Sequence, residues 1–489
     1  MPICVHGHFY QPPREDPWTG LVPEQRGAAP FHDWNEKVHA EAYRANAFVK
    51  VPTAEGEIEV DNFERISFNV GPTLLSWMEG TDPETYSKIL EADRISADRL
   101  GHGNALAQSF HHTILPLSPL RDVRTQVRWG IADFKHRFGR EPEGMWLPET
   151  AANEDVLEVL IEEGIRFTIL SPGQAAVWRD ENETWHAPPI DTRLGYRWNH
   201  RDRSGRSLTL FFYDGEVSRQ IAFAGAASDA EAFLHLFVER LEEDHMLVHA
   251  ATDGETYGHH RKFADLGLGY ALFVEAEKRS IDITNYATFL EGNPPTREVQ
   301  IIGGEGSSWS CAHGVGRWAR DCGCSTGGQP GWDQRWRAPL RRALDLVRDA
   351  ADETFERLGG ELLSDPWAAR DDYVSVVIGE ESVDDFVTSR AARPLDDEAR
   401  ERARTLLRLQ EMAMSMYTSC GWFFNDIGGI ETVQVLIYAR ATVELLRELD
   451  QPTPEQAFLD VLATAESNDP DVGTGADVYL GITPPTSPG

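Results

Sequence analysis

Over the first three hundred residues, short apolar runs alternate with amphipathic segments, and the pattern predicts strands alternating with helices. Ile3-Cys4-Val5-His6 reads as a first strand that runs into His8 and Gln11-Pro12-Pro13. Ile66 to Val70 reads as a second, ending at Gly71-Pro72. The clearest unit begins at Gly144-Met145-Trp146-Leu147-Pro148-Glu149. Apolar Val156, Leu157, Val159, Leu160 and Ile161 then predict a helix from Asn153 to Glu163, stopped by Gly164, before Ile165 to Ser171 returns as a strand. A strand, a helix and a strand in this order make a crossover, which requires parallel strands. Leu208 to Tyr213 and Met246 to Ala251 are two further apolar strands.

Beyond residue 300 the pattern changes. Residues 303–336 are rich in Gly, Trp and Cys, with Trp309, Trp318, Trp332 and Trp336 in one irregular stretch. From Pro339 the period is helical, Leu340, Ala343, Leu344 and Val347 recurring at three- and four-residue spacing. Further helices are expected over 396–418 and 429–448. The expected organisation is a barrel-like α/β catalytic domain over 1–300, a Trp/Cys/Gly-rich segment near its active site over 301–336, a C-terminal helical domain over 337–480 and a loose tail over 481–489.

Composition narrows the function classes. The chain has 489 residues, ample for a large core, and 46 basic against 80 acidic side chains give a formal charge of −34. A field of that sign repels phosphate backbones, so nucleic acid is an unfavourable partner, whereas neutral sugars meet no penalty. Scarce lysine beside abundant Asp and Glu fits a salt-adapted surface, and equally a GC-rich genome that favours Arg codons. No apolar run is long enough for a membrane span, and the N-terminus lacks a basic stretch followed by an apolar one. Five cysteines (Cys4, Cys311, Cys322, Cys324 and Cys420) read as reduced thiols, and the expected location is the cytoplasm.

Carboxylates stand at successive C-terminal strand ends: Glu149, then Asp214, then Asp253 and Glu255. A parallel α/β barrel keeps its chemistry at those ends. Glu149 and Asp214 form the expected catalytic pair, because retaining cleavage of a glycosidic bond uses two carboxyls about 5–5.5 Å apart, one attacking and one protonating. Trp146 and Tyr213 beside them supply apolar walls. His6 and His8, spaced i, i+2 at the first strand end with Gln11, suit sugar hydroxyls or a metal. His111, His112, His249, Asp253, His259 and His260 follow no zinc spacing. Within Asp253-Gly254-Glu255-Thr256-Tyr257-Gly258-His259-His260, the carboxylates and histidines suit substrate hydroxyls. Cys311, His313, Cys322 and Cys324 depart from the paired C-x2-C spacing of zinc sites, and buried reduced cysteines in a packed loop are the expected reading. No metal and no cofactor are therefore expected. Trp309, His313, Trp422 and Asp426 complete the expected substrate-binding set, since flat aromatic faces stack on sugar rings.

At these residues the chain resembles glycoside hydrolase family 57. His6-Gly7-His8-Phe9-Tyr10-Gln11-Pro12 is similar to its N-terminal His-x-His-Gln-Pro stretch, with two extra residues. Trp146-Leu147-Pro148-Glu149 resembles the stretch that carries the nucleophile, and Phe211-Phe212-Tyr213-Asp214 the one that carries the acid/base Asp. Asp253 to Gly258 is similar to the fifth stretch, while Gly103 to Gln108 matches the second without its Glu. Ser308 to Gly314 and Gly421 to Phe424 resemble the C-terminal region of one branch of that family. The resemblance implies an incomplete TIM-like (β/α)7 barrel followed by a helical domain. It also implies a retaining, metal-free mechanism on α-linked glucans, with Glu149 as nucleophile and Asp214 as acid/base. The expected reaction is α-amylase-like hydrolysis. A 4-α-glucanotransferase or branching enzyme would use the same pair, since only the acceptor differs. A metal-dependent hydrolase built on His6, His8 and Asp253, and a glucan-binding protein with a dead site, are the other classes.

Overall fold

A computed structural model describes residues 2–241 and 246–483, so positions 484–489 of the expected tail lie outside the described residues. The chain forms two compact units. One comprises Met1–Gln11, Glu24–Ser109 and Phe134–Trp309; the other comprises Pro12–Pro23, Phe110–Asp133 and Ser310–Gly489.

The first unit is built on seven parallel strands: β1 (Pro2–Phe9), β2 (Ser67–Val70), β3 (Ala107–Gln108), β4 (Met145–Trp146), β5 (Phe167–Leu170), β6 (Ser207–Phe212) and β7 (Val248–Asp253). β7 pairs β1, and β1 pairs β2, with His8 level with both Asp253 and Asn69. Phe68 bridges Ala105 to bring in β3, and β3 pairs β4. Gly144 bridges Phe167 to bring in β5, and β5 pairs β6. At Gly144 a Cβ would lie 2.3 Å from the Phe167 ring, so this close approach demands glycine. Between β6 and β7 the Asp214 N–H donates to the His249 carbonyl at 2.8 Å, and the ring returns to its start. The (β/α)7 expectation is met. Along the edge opposite β5, β6 also pairs antiparallel with Gly195–Asn199, which extends the sheet.

Helices cross between strands as the sequence predicts. α1 (Pro83–Leu100) is capped by Asp82 and ends at left-handed Gly101. α2 (Glu154–Glu162) is capped by the Asn153 side chain on the Val156 N–H. Its Val156, Leu157, Val159 and Leu160 are fully buried, each worth about 1.5–3 kcal/mol of apolar burial. α3 (Gly215–Phe223) follows β6 directly, and its cap is Asp214. The barrel interior is filled by Cys4, Trp146, Phe167, Ile169, Phe211, Leu247, Ala251 and Tyr286.

The second unit is helical: α4 (Arg337–Leu362), α5 (Asp397–Ser415), α6 (Ile430–Glu448) and α7 (Glu455–Leu462). α5 and α6 fall where the helical period predicts them. α4 packs on the other three, and α5 packs on α6. A buried Arg370 crosslinks this unit by bonding Asp122 at 2.7 Å, Thr125 at 2.6 Å and Gln410 at 3.1 Å.

Candidate active site

Strand alternation decides which side chains enter the barrel. On β1 the inward residues are Cys4, His6 and His8. On β6 Phe211 and Tyr213 join the interior cluster, and on β7 Leu247 and Ala251 do so. Continuing that period puts Asp253 inward at the end of β7. The same parity turns Asp214, one residue past Tyr213, away from the interior.

The floor of the site is a polar network on an aromatic base. His6 and His8 stack on the fully buried Trp146, with ring centroids 4.7 and 5.1 Å away. The Asn69 amide nitrogen donates to Gln108 Oε1 at 2.7 Å and contacts His8 Nδ1 at 2.9 Å. Asn69 Oδ1 accepts from His6 Nε2 at 3.1 Å, and the other His6 nitrogen meets the Ser67 hydroxyl at 3.0 Å. Burial lowers both imidazoles to about 3, so they stay neutral and act as hydrogen-bonding groups. With both ring nitrogens committed to Ser67 and Asn69, His6 has no lone pair to offer a metal.

Glu149 follows β4 in an unusual conformation. Its φ of 59° and that of Thr150 at 50° are left-handed, a cost of about 1–3 kcal/mol each for residues with a Cβ. Neighbours hold the turn in place. The Trp309 N–H donates to the Glu149 carbonyl at 3.1 Å, and its indole N–H donates to Glu149 Oε2 at 2.9 Å. Buried Gln174 accepts from the Thr150 hydroxyl and donates to the Thr150 carbonyl, both at 2.8 Å, and also reaches the Ser307 carbonyl. Trp309 stands edge-on to Trp146 and Tyr213, which gives the carboxylate an aromatic wall.

Asp253 completes the constellation. The residue as a whole is exposed, while the protein packed around its carboxyl desolvates that group. That desolvation, and then the charges of Glu255 and Glu149, hold its pKa well above the usual carboxylate range. Asp214 is placed differently. Its Oδ1 accepts from the Glu216 and Val217 N–H groups at 3.0 and 2.9 Å, and its Oδ2 pairs with Arg240 Nε at 3.0 Å. Both oxygens of this carboxylate are thus taken up by a helix cap and a guanidinium.

The chain matches the family model described as Glycosyl hydrolase family 57 over residues 22–301, more than half its length. The chain belongs to glycosyl hydrolase family 57. Residues 332–487 match a second model, a domain of unknown function, DUF3536. An α-amylase 1 of Dictyoglomus thermophilum is 30% identical over 203 residues, covering 36% of this chain and 29% of that protein. The chain spans less than a third of the length of the curated relatives it matches. Among solved structures, an exo-type maltose-forming amylase of Pyrococcus sp. ST04 shares the fold with a TM-score of 0.72 at 15% identity, covering 94% of this chain and 82% of that one. A branching enzyme of Pyrococcus horikoshii described as GH57-type gives 0.55 at 16% identity, covering 99% and 98%.

The remaining expected site residues of this family 57 chain divide sharply. Trp309 bonds Glu149, Tyr213 stands edge-on to Trp309, and Gln11 is half-buried with its amide on the Tyr10 carbonyl. His259 binds Glu41, and His260 is exposed beside it. Three expectations are corrected. Glu255 faces protein, not substrate: its Oε1 accepts from the Tyr10 N–H at 2.9 Å and the Tyr43 hydroxyl at 2.6 Å. Trp422 is fully buried, with its indole on the Arg337 carbonyl, and offers no face for stacking. The Asp426 carboxylate is occupied by Ser467 Oγ and the Asn468 and Gly428 N–H groups. His313 lies among cysteines of the second unit. His249, considered among metal ligands, bonds the Tyr286 hydroxyl and the Thr192 carbonyl. Asn69, which bonds His6 and His8, Gln108, which bonds Asn69, and Gln174, which bonds Thr150, are positions around the site that sequence reasoning misses.

Burial of Glu255 has a measurable consequence. Desolvation raises its carboxyl from 4.5 to about 7, against the lowering effect of Tyr43 and Tyr10. The folded chain therefore holds this proton more tightly than the unfolded one. Its stability contribution is intact below pH 4.5, falls as the pH rises toward 7, and is then a constant cost of about 3 kcal/mol. Glu255→Gln keeps an oxygen for both donors and removes the titration. The variant should melt a few degrees above the parent at about pH 8, with the difference vanishing near pH 4. An equal difference at both pH values in calorimetry would contradict this origin.

Proposed function

We propose that this family 57 chain is a retaining enzyme on α-linked glucans in which Glu149 is the nucleophile and Asp253, not Asp214, is the general acid/base. One observation carries the reading: strand register sets Asp253 level with His8 at the barrel end, where the Glu149 charge helps to raise its pKa, while Asp214 is spent on a helix cap and Arg240.

Glu149, oriented by the Trp309 indole, attacks the anomeric carbon from one face. Asp253 gives its proton to the departing glycosidic oxygen, and a covalent glycosyl–Glu149 ester forms. Esterification removes the Glu149 charge, one cause of the raised Asp253 pKa. Asp253 then becomes a competent base and takes a proton from the acceptor as that attacks the ester. Two inversions restore the original anomer. Neutral His8, set level with Asp253 by strand register, supplies hydrogen bonds to ring hydroxyls without adding a cation. The acceptor is water in an α-amylase-like hydrolase, or a sugar hydroxyl in a glucanotransferase or branching enzyme. We place the protein in the cytoplasm, on the support of its five free cysteines.

Maltoheptaose tests the reading. Incubation at low and high salt, followed by proton NMR and reducing-end assay, should give products first formed as α-anomers. Reducing ends that rise identify hydrolysis; constant reducing ends with longer and shorter chains identify transfer. First-formed β-anomers would overturn retention, and untouched substrate at both salts would overturn the α-1,4-glucan assignment.

A further inference from the structure

Residues 310–333 of the second unit contain one short 3-10 turn, Gly316–Trp318, as their regular structure. They bring together four side chains that neither catalysis nor the helical core uses. The Sγ atoms of Cys311, Cys322 and Cys324 and a ring nitrogen of His313 all lie within 4.8 Å of one another. Cys311 Sγ and Cys322 Sγ are 3.8 Å apart, and Cys324 Sγ is 3.5 Å from His313 Nδ1. A tetrahedron with Zn–S bonds of about 2.3 Å and a Zn–N bond of about 2.0–2.1 Å has S–S edges of about 3.8 Å and S–N edges of about 3.5 Å. We propose that Cys311, His313, Cys322 and Cys324 hold a structural Zn2+ ion.

Backbone and charge both fit a metal. Gly323, between two of the cysteines, has a φ of +78°, which lets the chain reverse sharply between them. Two guanidiniums are buried beside the cluster, Arg317 at 5% and Arg337 at 0% exposure. Their hydrogen bonds go to carbonyl oxygens: Arg337 to Cys324, Phe423 and Phe424, and Arg317 to Phe423. Among the described residues neither meets a carboxylate, and buried cations without a counter-charge are strongly unfavourable. Three thiolates and a neutral imidazole around Zn2+ carry a net single negative charge, in electrostatic range of Arg337. The ion would tie an irregular loop to the start of α4 and to the 420–424 turn, which Arg337 also bonds. The donor set, three soft thiolates and an imidazole, selects zinc over oxygen-loving cations. The other grouping of ligand types, His32, Asp33 and Glu36, is accounted for without a metal, since Asp33 caps the Glu36 N–H and Glu36 takes the His32 N–H.

Metal analysis of the purified full chain by mass spectrometry tests the site. About one zinc per chain is expected, released by an organomercurial that titrates thiolates. The double variant Cys322→Ser, Cys324→Ser should fall below about a tenth of an equivalent. Exchange of the parent chain into Co2+ should give the intense thiolate-to-cobalt absorption of a tetrahedral site, a readout that does not depend on a variant folding. Zinc-free parent protein, undiminished zinc in the double variant, iron in place of zinc, or a Cys311–Cys322 disulfide found by thiol counting would each overturn the proposal.

Discussion

Glu149→Gln should lower kcat/KM on maltoheptaose by roughly 10^4–10^6-fold, the range seen when a covalent nucleophile is removed from an otherwise intact site. The amide is isosteric and keeps an oxygen for the Trp309 indole, so circular dichroism and melting temperature should stay close to the parent's. The left-handed turn is held by the backbone of Trp309 and by Gln174, neither of which depends on the charge at position 149. Residual activity within about tenfold of the parent, in a preparation free of host amylase, would remove Glu149 from the mechanism.

The second large effect separates two aspartates. Asp253→Ala should lose about 10^2–10^4-fold in kcat/KM, the usual worth of a positioned acid/base. The loss should be smallest on aryl glycosides, whose leaving groups need little protonation. Azide should restore turnover as an α-glycosyl azide, because the small anion needs no base to attack the ester from the side that Asp253 serves. The pH profile should lose its alkaline limb along with the carboxyl. Asp214→Ala should keep the parent's pH profile and give no azide product, while losing about 1–2 kcal/mol of stability from the helix cap. The reverse pattern, azide rescue at position 214 and a normal profile at 253, would return the acid/base role to Asp214.

Much of this site is legible in the chain, and its gaps have physical causes. The strand–helix alternation, the Asn153 cap and the strand-end Glu149 all follow from local pattern. Parity along β6 does not. Phe211, Phe212 and Tyr213 form an unbroken apolar run because a barrel strand is buried on both faces, so no period of two marks Tyr213 as inward and Asp214 as outward. Register at the end of β7 is the second gap. Asp253 is read at the end of the strand that starts at Met246, and the strand does run to it, but its pairing level with His8 is a matter of register that the pattern does not give. Asn69, Gln108 and Gln174 are neutral amides, and nothing in their residue type separates a buried hydrogen-bond network from amides that simply face water. The Cys311, His313, Cys322 and Cys324 cluster escapes for a simpler reason: both pairs are spaced i, i+2, and the structure gathers them across the Gly316–Trp318 turn.

The junction between β6 and β7 has a mechanical meaning. Elsewhere the ring strands share ladders or bridges, whereas here the Asp214 N–H donates to the His249 carbonyl and the Phe211 ring meets the His249 ring edge-on. A closed cylinder deforms first where its wall is thinnest, and this seam lies on β7, the strand that ends at Asp253. Asp214 acts there as a rivet, its backbone clasping β7 while its side chain pins α3 and Arg240. Loosening it would let the two strand ends breathe apart and carry Asp253 away from Glu149 without touching either carboxyl. Weak activity in an Asp214 variant would then report a sprung wall, distinguishable from lost chemistry because the alkaline limb of the pH profile survives.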